Sequence, residues 1–168
     1  MKWILAILLN ALSIVAFSQT TDSIAAPYKR FPTVPAFKIT LGDSSTTYTK
    51  EDLPKKRPVL LMIFNPECEH CQHETQELLK YKEELKDIEV LMVTFQPLYK
   101  MNEFVKDYHV TDLPNVVVGR DPYYLLSSFY QMHSLPYIAL YDKKGNLIET
   151  AEGSLPLPKL IALFKSKK

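Results

Sequence analysis

The stretch of sequence that decides the fold joins a continuous apolar run to a pair of cysteines. Residues 59–74 read Val-Leu-Leu-Met-Ile-Phe-Asn-Pro-Glu-Cys-Glu-His-Cys-Gln-His-Glu. The six residues 59–64 are all apolar, which predicts a strand that is buried on both faces. Asn65 and Pro66 end that strand, and the good helix formers that follow predict a helix over residues 68–86. The two cysteines are therefore expected at a strand-to-helix junction.

The rest of the chain alternates strand and helix patterns around this segment. Further strands are predicted at 37–41 and 46–49 (an antiparallel hairpin), 88–95, 115–118, 137–141 and 147–152. Further helices are predicted at 98–108, at 122–133 with Pro122 at its first position, and at 156–165. This alternation indicates an α/β fold with a largely parallel sheet that closes on a hairpin.

Composition limits the possible functions. The 168 residues suit a single domain, and 46% hydrophobic with 23% charged residues is ordinary for a globular protein. The four glycines are widely separated, so the chain cannot form a glycine-rich phosphate loop. Two cysteines are too few for a disulfide scaffold or a four-cysteine zinc site. The single Cys-x-x-Cys pair remains as the source of chemistry.

The N-terminal residues have the pattern of an export signal. A basic start is followed by a mostly apolar run of about 15 residues and by small residues before Gln19, which predicts a cleaved signal peptide over residues 1–18. An uncleaved N-terminal anchor is the alternative; the cleaved form would have no stable membrane insertion. Residues 19–33 are expected to be a flexible segment, and residues 34–168 the domain. The protein is thus expected to be exported, to the periplasm.

The charge balance argues against a nucleic-acid partner. Lys2 is the only charged residue of the predicted signal, so its removal leaves 19 basic and 19 acidic residues. A neutral chain has no basic footprint for phosphates. Export also places the two cysteines in a compartment where disulfides persist.

The Cys-x-x-Cys pair predicts thiol–disulfide chemistry. Free backbone N–H groups and the helix dipole stabilise a thiolate at a helix N-terminus, which makes Cys68 the nucleophile. The three-residue spacing lets Cys71 resolve a mixed disulfide. His70 would stabilise the thiolate when protonated, whereas Glu67 and Glu69 oppose it, so the sequence leaves the redox direction open.

Glu74 is expected to serve Cys71. The two residues lie one turn apart on the apolar face of the predicted helix, so Glu74 should be partly buried. Burial raises the pKa of a carboxyl group toward neutrality, where it can accept the Cys71 proton during exchange. A structural hydrogen bond or ion pair is the alternative role for Glu74.

These motifs resemble the thioredoxin-like superfamily, most closely its exported TlpA/ResA-type branch, over about residues 34–165. The resemblance rests on the opening hairpin, the redox motif, Glu74 three residues after the second cysteine, and the closing hairpin that follows Pro136. It implies a thioredoxin-like fold with a central mixed sheet flanked by helices, an N-terminal β-hairpin and a central strand–helix insertion. It places Pro136 where the family has a cis-proline, and it implies that the backbone of Leu135 binds a substrate segment beside Cys68.

The resemblance has departures that concern the redox potential. Glu67 stands where an aromatic residue is usual, His70 where a proline is common, and Met62 where classical thioredoxins bury a polar residue. Whether the protein reduces, oxidises or isomerises its partners therefore stays open.

The function predicted from the sequence is exchange of a Cys68–Cys71 disulfide or dithiol with partner proteins. It requires protein thiols or disulfides as substrates, a redox partner protein, and no bound cofactor. One alternative is copper(I) or zinc binding, because His70 and His73 lie next to the two thiols. The other is a peroxiredoxin-like peroxide reductase, although Asn65 stands where those enzymes need a threonine or a similar group.

Overall fold

The computed structural model describes residues 25–166, so the predicted signal over residues 1–18 lies outside the described part. Its helices are α1 (Pro27–Arg30), α2 (Glu69–Lys80), α3 (Leu98–Asp107), α4 (Leu125–Tyr130) and α5 (Leu157–Ser166). Its strands are β1 (Lys38–Leu41), β2 (Thr47–Thr49), β3 (Val59–Ile63), β4 (Glu89–Thr94), β5 (Val116–Arg120), β6 (Tyr137–Tyr141) and β7 (Leu147–Glu152). Over residues 25–166, no helix combines the length and the apolar character needed to cross a membrane.

The seven strands form one mixed sheet in the order β2-β1-β5-β4-β3-β6-β7. Only the β3–β4 and β4–β5 pairs are parallel; the other four are antiparallel. The largely parallel sheet expected from the alternation is therefore wrong, because β6 returns antiparallel to β3 and the N-terminal hairpin adds antiparallel to β5. The mixed sheet implied by the resemblance is confirmed, as is the hairpin of β1 and β2.

The strand directions bring four chain segments to one edge of the sheet. β3, β4 and β5 run parallel, so their carboxyl ends lie at the same edge. β6 begins there, because Tyr137 at its start pairs with Ile63 at the end of β3. The Cys-x-x-Cys motif, which follows β3, therefore lies beside the residues that lead into β6. We call this edge the thiol edge.

Alternating side chains of the central strands fill two cores, one on each face of the sheet. Leu60, Met62 and Phe64 of the β3 region point to the face covered by α2, α3 and α5, and Phe64 packs on Phe104 with ring centroids 4.8 Å apart. The opposite face is covered by α4 and by the N-terminal segment. The predicted two-sided burial of this strand is confirmed, since all of β3 is buried.

Two predicted helices are shorter than expected. The helix predicted over 68–86 ends at Lys80, and residues 81–87 form turns that bring the chain back to β4 while still burying Leu85. The helix predicted over 122–133 covers only Leu125–Tyr130. Pro122 does not begin it, because the Asp121 carboxylate accepts backbone N–H groups downstream and closes a turn first. The remaining element ends differ from the predictions by two residues or fewer.

Part of the segment expected to be flexible, residues 19–33, packs on the domain. Tyr28 of α1 lies against Tyr130, with ring centroids 5.9 Å apart. Thr33 bridges to Asn146, and the Val34 N–H donates to the Gly145 carbonyl at 2.9 Å. The packed domain therefore begins before residue 34. Aromatic contacts made across more than 100 residues of sequence explain why local patterns did not reveal it.

Candidate active site

Asn65 shapes the loop that presents the first cysteine. The Asn65 carbonyl accepts the Cys68 N–H at 3.0 Å, and its side-chain Oδ1 accepts the Glu67 N–H at 3.0 Å. Cys68 is the N-cap residue of α2, and its carbonyl accepts the Gln72 N–H at 3.0 Å. The Cys68 sulfur is thus held at a helix N-terminus, where the free N–H groups favour negative charge.

The two cysteines lie in different environments. Cys68 is partly exposed, whereas Cys71 is completely buried on the inner face of α2. Burial raises the pKa of Cys71 to about 12, although the Asn65 backbone N–H donates toward its sulfur and opposes this shift. The neighbouring Cys68 thiol hydrogen-bonds with Cys71 and contributes to this raised pKa. The pair therefore combines an accessible thiol with a buried one that holds its proton.

Leu135 and Pro136 lie beside the accessible thiol. The Cys68 Sγ is 3.9 Å from the Leu135 carbonyl oxygen, a distance at which the thiol can donate a weak hydrogen bond to that oxygen. The Leu135–Pro136 peptide bond is cis, as the resemblance implied. The Pro136 carbonyl accepts the Gly153 N–H at 2.8 Å, which ties this loop to the end of β7. The structure thus brings residues 68 and 135 together at the thiol edge.

Glu152 holds the residues that precede Leu135 in the chain. Its carboxylate accepts the His133 backbone N–H at 3.2 Å and the Ser134 hydroxyl at 3.2 Å, and the His133 Nδ1 lies 3.3 Å away. Partial burial opposes ionisation of this carboxyl, but the hydrogen bonds from His133 and Ser134 hold the pKa of Glu152 below its ordinary value. Glu152 is therefore an acceptor that fixes the two residues preceding Leu135.

Glu74 is buried one turn after Cys71, as expected. Its side chain is 1% exposed, and its Oε1 has no hydrogen-bond partner within residues 25–166. Burial raises the pKa of Glu74 above its ordinary value, against the opposing effect of hydrogen bonds with Ser154 and Leu155. A negative charge on Glu74 in turn raises the pKa of Cys71, so the two groups interact electrostatically. Within residues 25–166, Glu74 therefore has one carboxyl oxygen without a partner, and it lies one helical turn from a buried thiol.

Most of the charged and titratable side chains around the motif are exposed to solvent. His70 and Glu69 are exposed. Glu67 is exposed as well, but its carboxylate pairs with the Lys100 Nζ of α3 at 2.8 Å. The charge expected next to Cys68 is therefore compensated by a lysine that lies 33 residues away in the sequence.

The cluster of cysteines and histidines does not form a metal site in the described structure. Within residues 25–166, no three His, Cys, Asp or Glu side chains come together in a way that would hold a metal ion. His70 and His73 are exposed, whereas Cys71 faces the core. The metal-binding alternative has no support from the geometry of the site.

Sequence reasoning missed Lys100 and Glu152. Lys100 pairs with Glu67 and Glu152 holds His133 and Ser134, so each joins segments that are far apart in the sequence, and the pairings depend on strand order. The one available signal was the placement of Glu152 near the end of the last strand, which faces the start of β6 if the two strands form a hairpin.

Solved structures similar to this fold are thioredoxin-like. One is a secreted Mycobacterium tuberculosis disulfide oxidoreductase homologous to E. coli DsbE (TM-score 0.64, 16% identity, covering 77% of this chain and 95% of that chain). Another is the exposed lipoprotein thioredoxin of Streptococcus pneumoniae (TM-score 0.61, 26% identity, 79% and 99%). A third is the peroxidoxin BcpB of M. tuberculosis (TM-score 0.68, 12% identity, 81% and 96%). The predicted thioredoxin-like fold is confirmed, and the disulfide oxidoreductase among these neighbours is consistent with the TlpA/ResA-type branch.

No curated protein sequence matches the chain significantly. The sequence profile of the AhpC/TSA family, however, matches residues 32–152. That range runs from the segment before β1 to the last residue of β7, and it includes both cysteines, Glu74 and Pro136. Because the match spans most of the chain and all of its sheet, the protein belongs to the AhpC/TSA family.

Proposed function

We propose that the protein is an exported oxidoreductase that exchanges the Cys68–Cys71 pair with thiols and disulfides of other proteins. The observation that carries this proposal is the asymmetry of the pair. Cys68 sits partly exposed at a helix N-terminus, 3.9 Å from the Leu135 carbonyl, while Cys71 is buried. In such an arrangement the accessible Cys68 can attack a partner, and the buried Cys71 can then release that partner from the mixed disulfide.

In the reducing direction, the Cys68 thiolate attacks one sulfur of a partner disulfide. The partner S–S bond breaks, a Cys68–partner disulfide forms, and the first partner cysteine leaves as a thiolate that takes up a proton. Cys71 then gives its proton to the Glu74 carboxylate and attacks the Cys68 sulfur. The second partner cysteine leaves with the electron pair of the mixed disulfide. The partner has gained two electrons, and the protein holds a Cys68–Cys71 disulfide.

The reverse sequence of the same steps oxidises a partner dithiol. A separate redox partner protein, itself a dithiol or a disulfide, returns the pair to its starting state in either direction. His70 tunes the stability of the Cys68 thiolate in this scheme, because an exposed imidazole near a helix N-terminus adds positive charge when protonated.

Leu135 and Pro136 hold the partner in place. The backbone at Leu135 offers hydrogen-bonding groups to a partner segment that lies alongside it, a form of strand addition. Glu152 supports this role, because it fixes the preceding residues His133 and Ser134.

Redox equilibration with glutathione tests the proposal. We expect a two-electron equilibrium in which Cys68 and Cys71 form one disulfide, and catalysed reduction or oxidation of a disulfide-bonded test protein. The position of the equilibrium gives the direction of electron flow. A parallel assay supplies hydrogen peroxide and a dithiol reductant in place of the test protein. Rapid reduction of peroxide, without disulfide exchange on the test protein, would contradict the proposal and favour the peroxiredoxin-like alternative.

Export is part of the proposal, supported by the signal pattern of residues 1–18 and by the secreted and exposed proteins among the fold neighbours. We expect the chain recovered from the periplasm of expressing cells to begin near Gln19. N-terminal sequencing checks this, and a mature protein that retains Met1 would contradict cleavage.

A further inference from the structure

Basic side chains converge at the edge of the sheet that lies opposite the thiol edge. β3 and β6 are antiparallel, and Val59 at the start of β3 pairs with Tyr141 at the end of β6. The residues just before β3 and just after β6 therefore lie close together at this far edge. Since the five residues of β3 span about 17 Å, the far edge is well separated from the Cys-x-x-Cys motif.

A concavity of about 430 Å³ opens between these chain segments, and we call it the lysine pocket. Six of the 20 basic residues of the chain line it, whereas Asp142 is the only acidic residue within residues 25–166 that does. The basic residues are Lys50, Lys55, Lys56, Arg57, Lys143 and Lys144. The balanced charge of the whole chain therefore conceals a strongly basic pocket.

Hydrogen bonds hold together the three chain segments that form the lysine pocket. The Lys50 Nζ donates to the Val34 carbonyl at 2.5 Å, and the Val34 N–H donates to the Gly145 carbonyl at 2.9 Å. Thr33 forms a β-bridge with Asn146 in the same region. The walls are thus in place before a ligand arrives, which lowers the entropic cost of binding.

Four of the lysines lie in two turns that border the pocket. Lys55 and Lys56 form the turn before β3, and Lys143 and Lys144 form the turn after β6. All four residues are exposed, and in the described part of the chain none of them forms an ion pair. Lys56 has a φ of 63°, a left-handed conformation that costs a lysine more than a glycine. The first turn therefore presents a lysine where glycine would be the easier choice.

The other charged groups of the pocket already have partners. Arg57 pairs with the buried Glu89 carboxylate at 3.4 Å. The Asp142 carboxylate accepts the backbone N–H groups of Lys144 and Asn146, each at 2.8 Å. One carboxylate held in this way cannot neutralise the four lysines of the turns, which repel each other around a common pocket. An anion between the two turns would replace this repulsion with attraction.

A second concavity, of about 450 Å³, adjoins the lysine pocket and shares residues 55–57 and 142–143 with it. Apolar side chains of α5 line this second concavity, and Glu84 and Asp87 there oppose the charge of Lys165. An anionic group is therefore expected in the lysine pocket, and the second concavity offers room for the uncharged part of a larger ligand.

We infer that the lysine pocket binds a ligand with two neighbouring phosphate groups, either free in solution or in the head of a larger molecule. The inference is independent of the proposed function, because the pocket lies at the other end of β3 from Cys68. Lysine ammonium groups bind phosphate as point charges on flexible stems, so each of the two turns can hold one phosphate. A compact ligand of high charge suits a pocket of this volume, whereas an acidic peptide spreads its charges along an extended chain.

Isothermal titration calorimetry with inorganic pyrophosphate tests the inference. The titration uses the purified protein at low and constant ionic strength, since salt screens exposed charges. We expect saturable binding at one site, about tenfold tighter than the binding of inorganic phosphate, a ratio that corresponds to about 1.4 kcal/mol. The preference arises because a single phosphate reaches only one turn.

Two double variants test the two turns. Lys143→Gln with Lys144→Gln removes the charge of one turn, and Lys55→Gln with Lys56→Asn removes that of the other, where asparagine tolerates the left-handed backbone. Each is expected to weaken pyrophosphate binding about tenfold and to abolish the preference over phosphate. Both variants should keep the wild-type circular dichroism spectrum and the wild-type rate of exchange with glutathione disulfide.

Lys82→Gln with Lys106→Gln is the matched control, because it removes two charges from exposed lysines that do not line the pocket. It should bind pyrophosphate like the wild-type protein. An equal loss of affinity in this control would overturn the inference, and so would a wild-type protein that shows no saturable binding of pyrophosphate.

Sedimentation with vesicles distinguishes the two sources of phosphate. The anionic vesicles contain cardiolipin, whose headgroup carries two phosphates, and phosphatidylcholine vesicles are the reference. Sedimentation with cardiolipin that pyrophosphate reverses would support the pocket and assign it to a lipid headgroup, whereas calorimetric binding without sedimentation would support a soluble ligand. Tighter binding of polyglutamate than of pyrophosphate would overturn the inference in favour of an acidic protein segment.

Discussion

Cys71→Ser is expected to stop exchange halfway, and Cys68→Ser to stop it before it begins. Cys68 is partly exposed at the N-terminus of α2, so a partner sulfur can reach it, whereas Cys71 is completely buried. Without Cys71, the partner remains bonded to Cys68 because no second thiol can release it. Without Cys68, no accessible thiol is left, and turnover should fall by about a thousandfold or more.

The two variants are compared on a disulfide-bonded test protein by non-reducing electrophoresis and mass spectrometry. The reduced Cys71→Ser variant should accumulate a one-to-one mixed disulfide with the test protein, which dithiothreitol reduces. The wild-type protein should show that adduct only transiently. Cys68→Ser should form none. Adducts on Cys71 in the Cys68→Ser variant, at the rate seen for Cys68, would contradict the assigned order of attack.

Local patterns were sufficient to predict the motif and its helix. The apolar run at residues 59–64 requires a strand buried on both faces, and the spacing of Cys71, Glu74 and Leu78 places them on one helix face; all three are buried in the structure. Burial of Glu74 could be predicted because it depends only on helical periodicity. No contact with another element was needed.

Features that depend on other elements could not be predicted in this way. α4 begins at Leu125 because of the bonds that Asp121 makes, and propensity alone favoured a start at Pro122. The ion pair of Glu67 with Lys100 requires that β3 and β4 be neighbours. The nearness of Leu135 to Cys68 was available only through the family resemblance, since it follows from β6 lying beside β3.

The second large effect is expected at Glu74, where Glu74→Gln should slow exchange by about a hundredfold near neutral pH, the usual contribution of a positioned proton acceptor. Burial raises the pKa of Cys71 to about 12, so its thiolate is scarce at neutral pH and needs an acceptor for its proton. Glu74 follows one turn later along α2, and its Oε1 has no hydrogen-bond partner in the part of the chain that the structure describes. Glutamine keeps the shape of the side chain but cannot take the proton.

The rate should be measured as release of the partner from the mixed disulfide, over a range of pH. The difference between the two proteins should narrow as the pH rises toward the pKa of Cys71, because the thiolate then forms without help. Attack on the partner by Cys68 should be unaffected. An identical pH profile for both proteins would leave Glu74 with a structural role only.

The same substitution should stabilise the fold while it slows the reaction. The pKa of Glu74 is raised in the folded protein by burial, so the native state keeps a proton that the unfolded chain has already lost. Stability then falls as the pH rises from the ordinary range of a glutamate to the raised pKa, and the loss persists above it. Glu74→Gln has no such ionisation, so its advantage in urea unfolding should be small at pH 4 and should grow toward neutral pH.

Glu77→Gln supplies the matched control, since it makes the same change one turn further along α2. Glu77 hydrogen-bonds with Lys80, which holds the pKa of Glu77 below its ordinary value, so its ionised form favours the folded state above that value. The control should therefore lose a little stability at neutral pH, opposite in sign to Glu74→Gln, and should exchange at the wild-type rate. If Glu74 served only the fold, its ionisation would not be expected to lower the free energy of unfolding at neutral pH. A lower free energy of unfolding for Glu74→Gln than for the wild-type protein at neutral pH would contradict the view that the buried carboxyl group is retained for proton transfer.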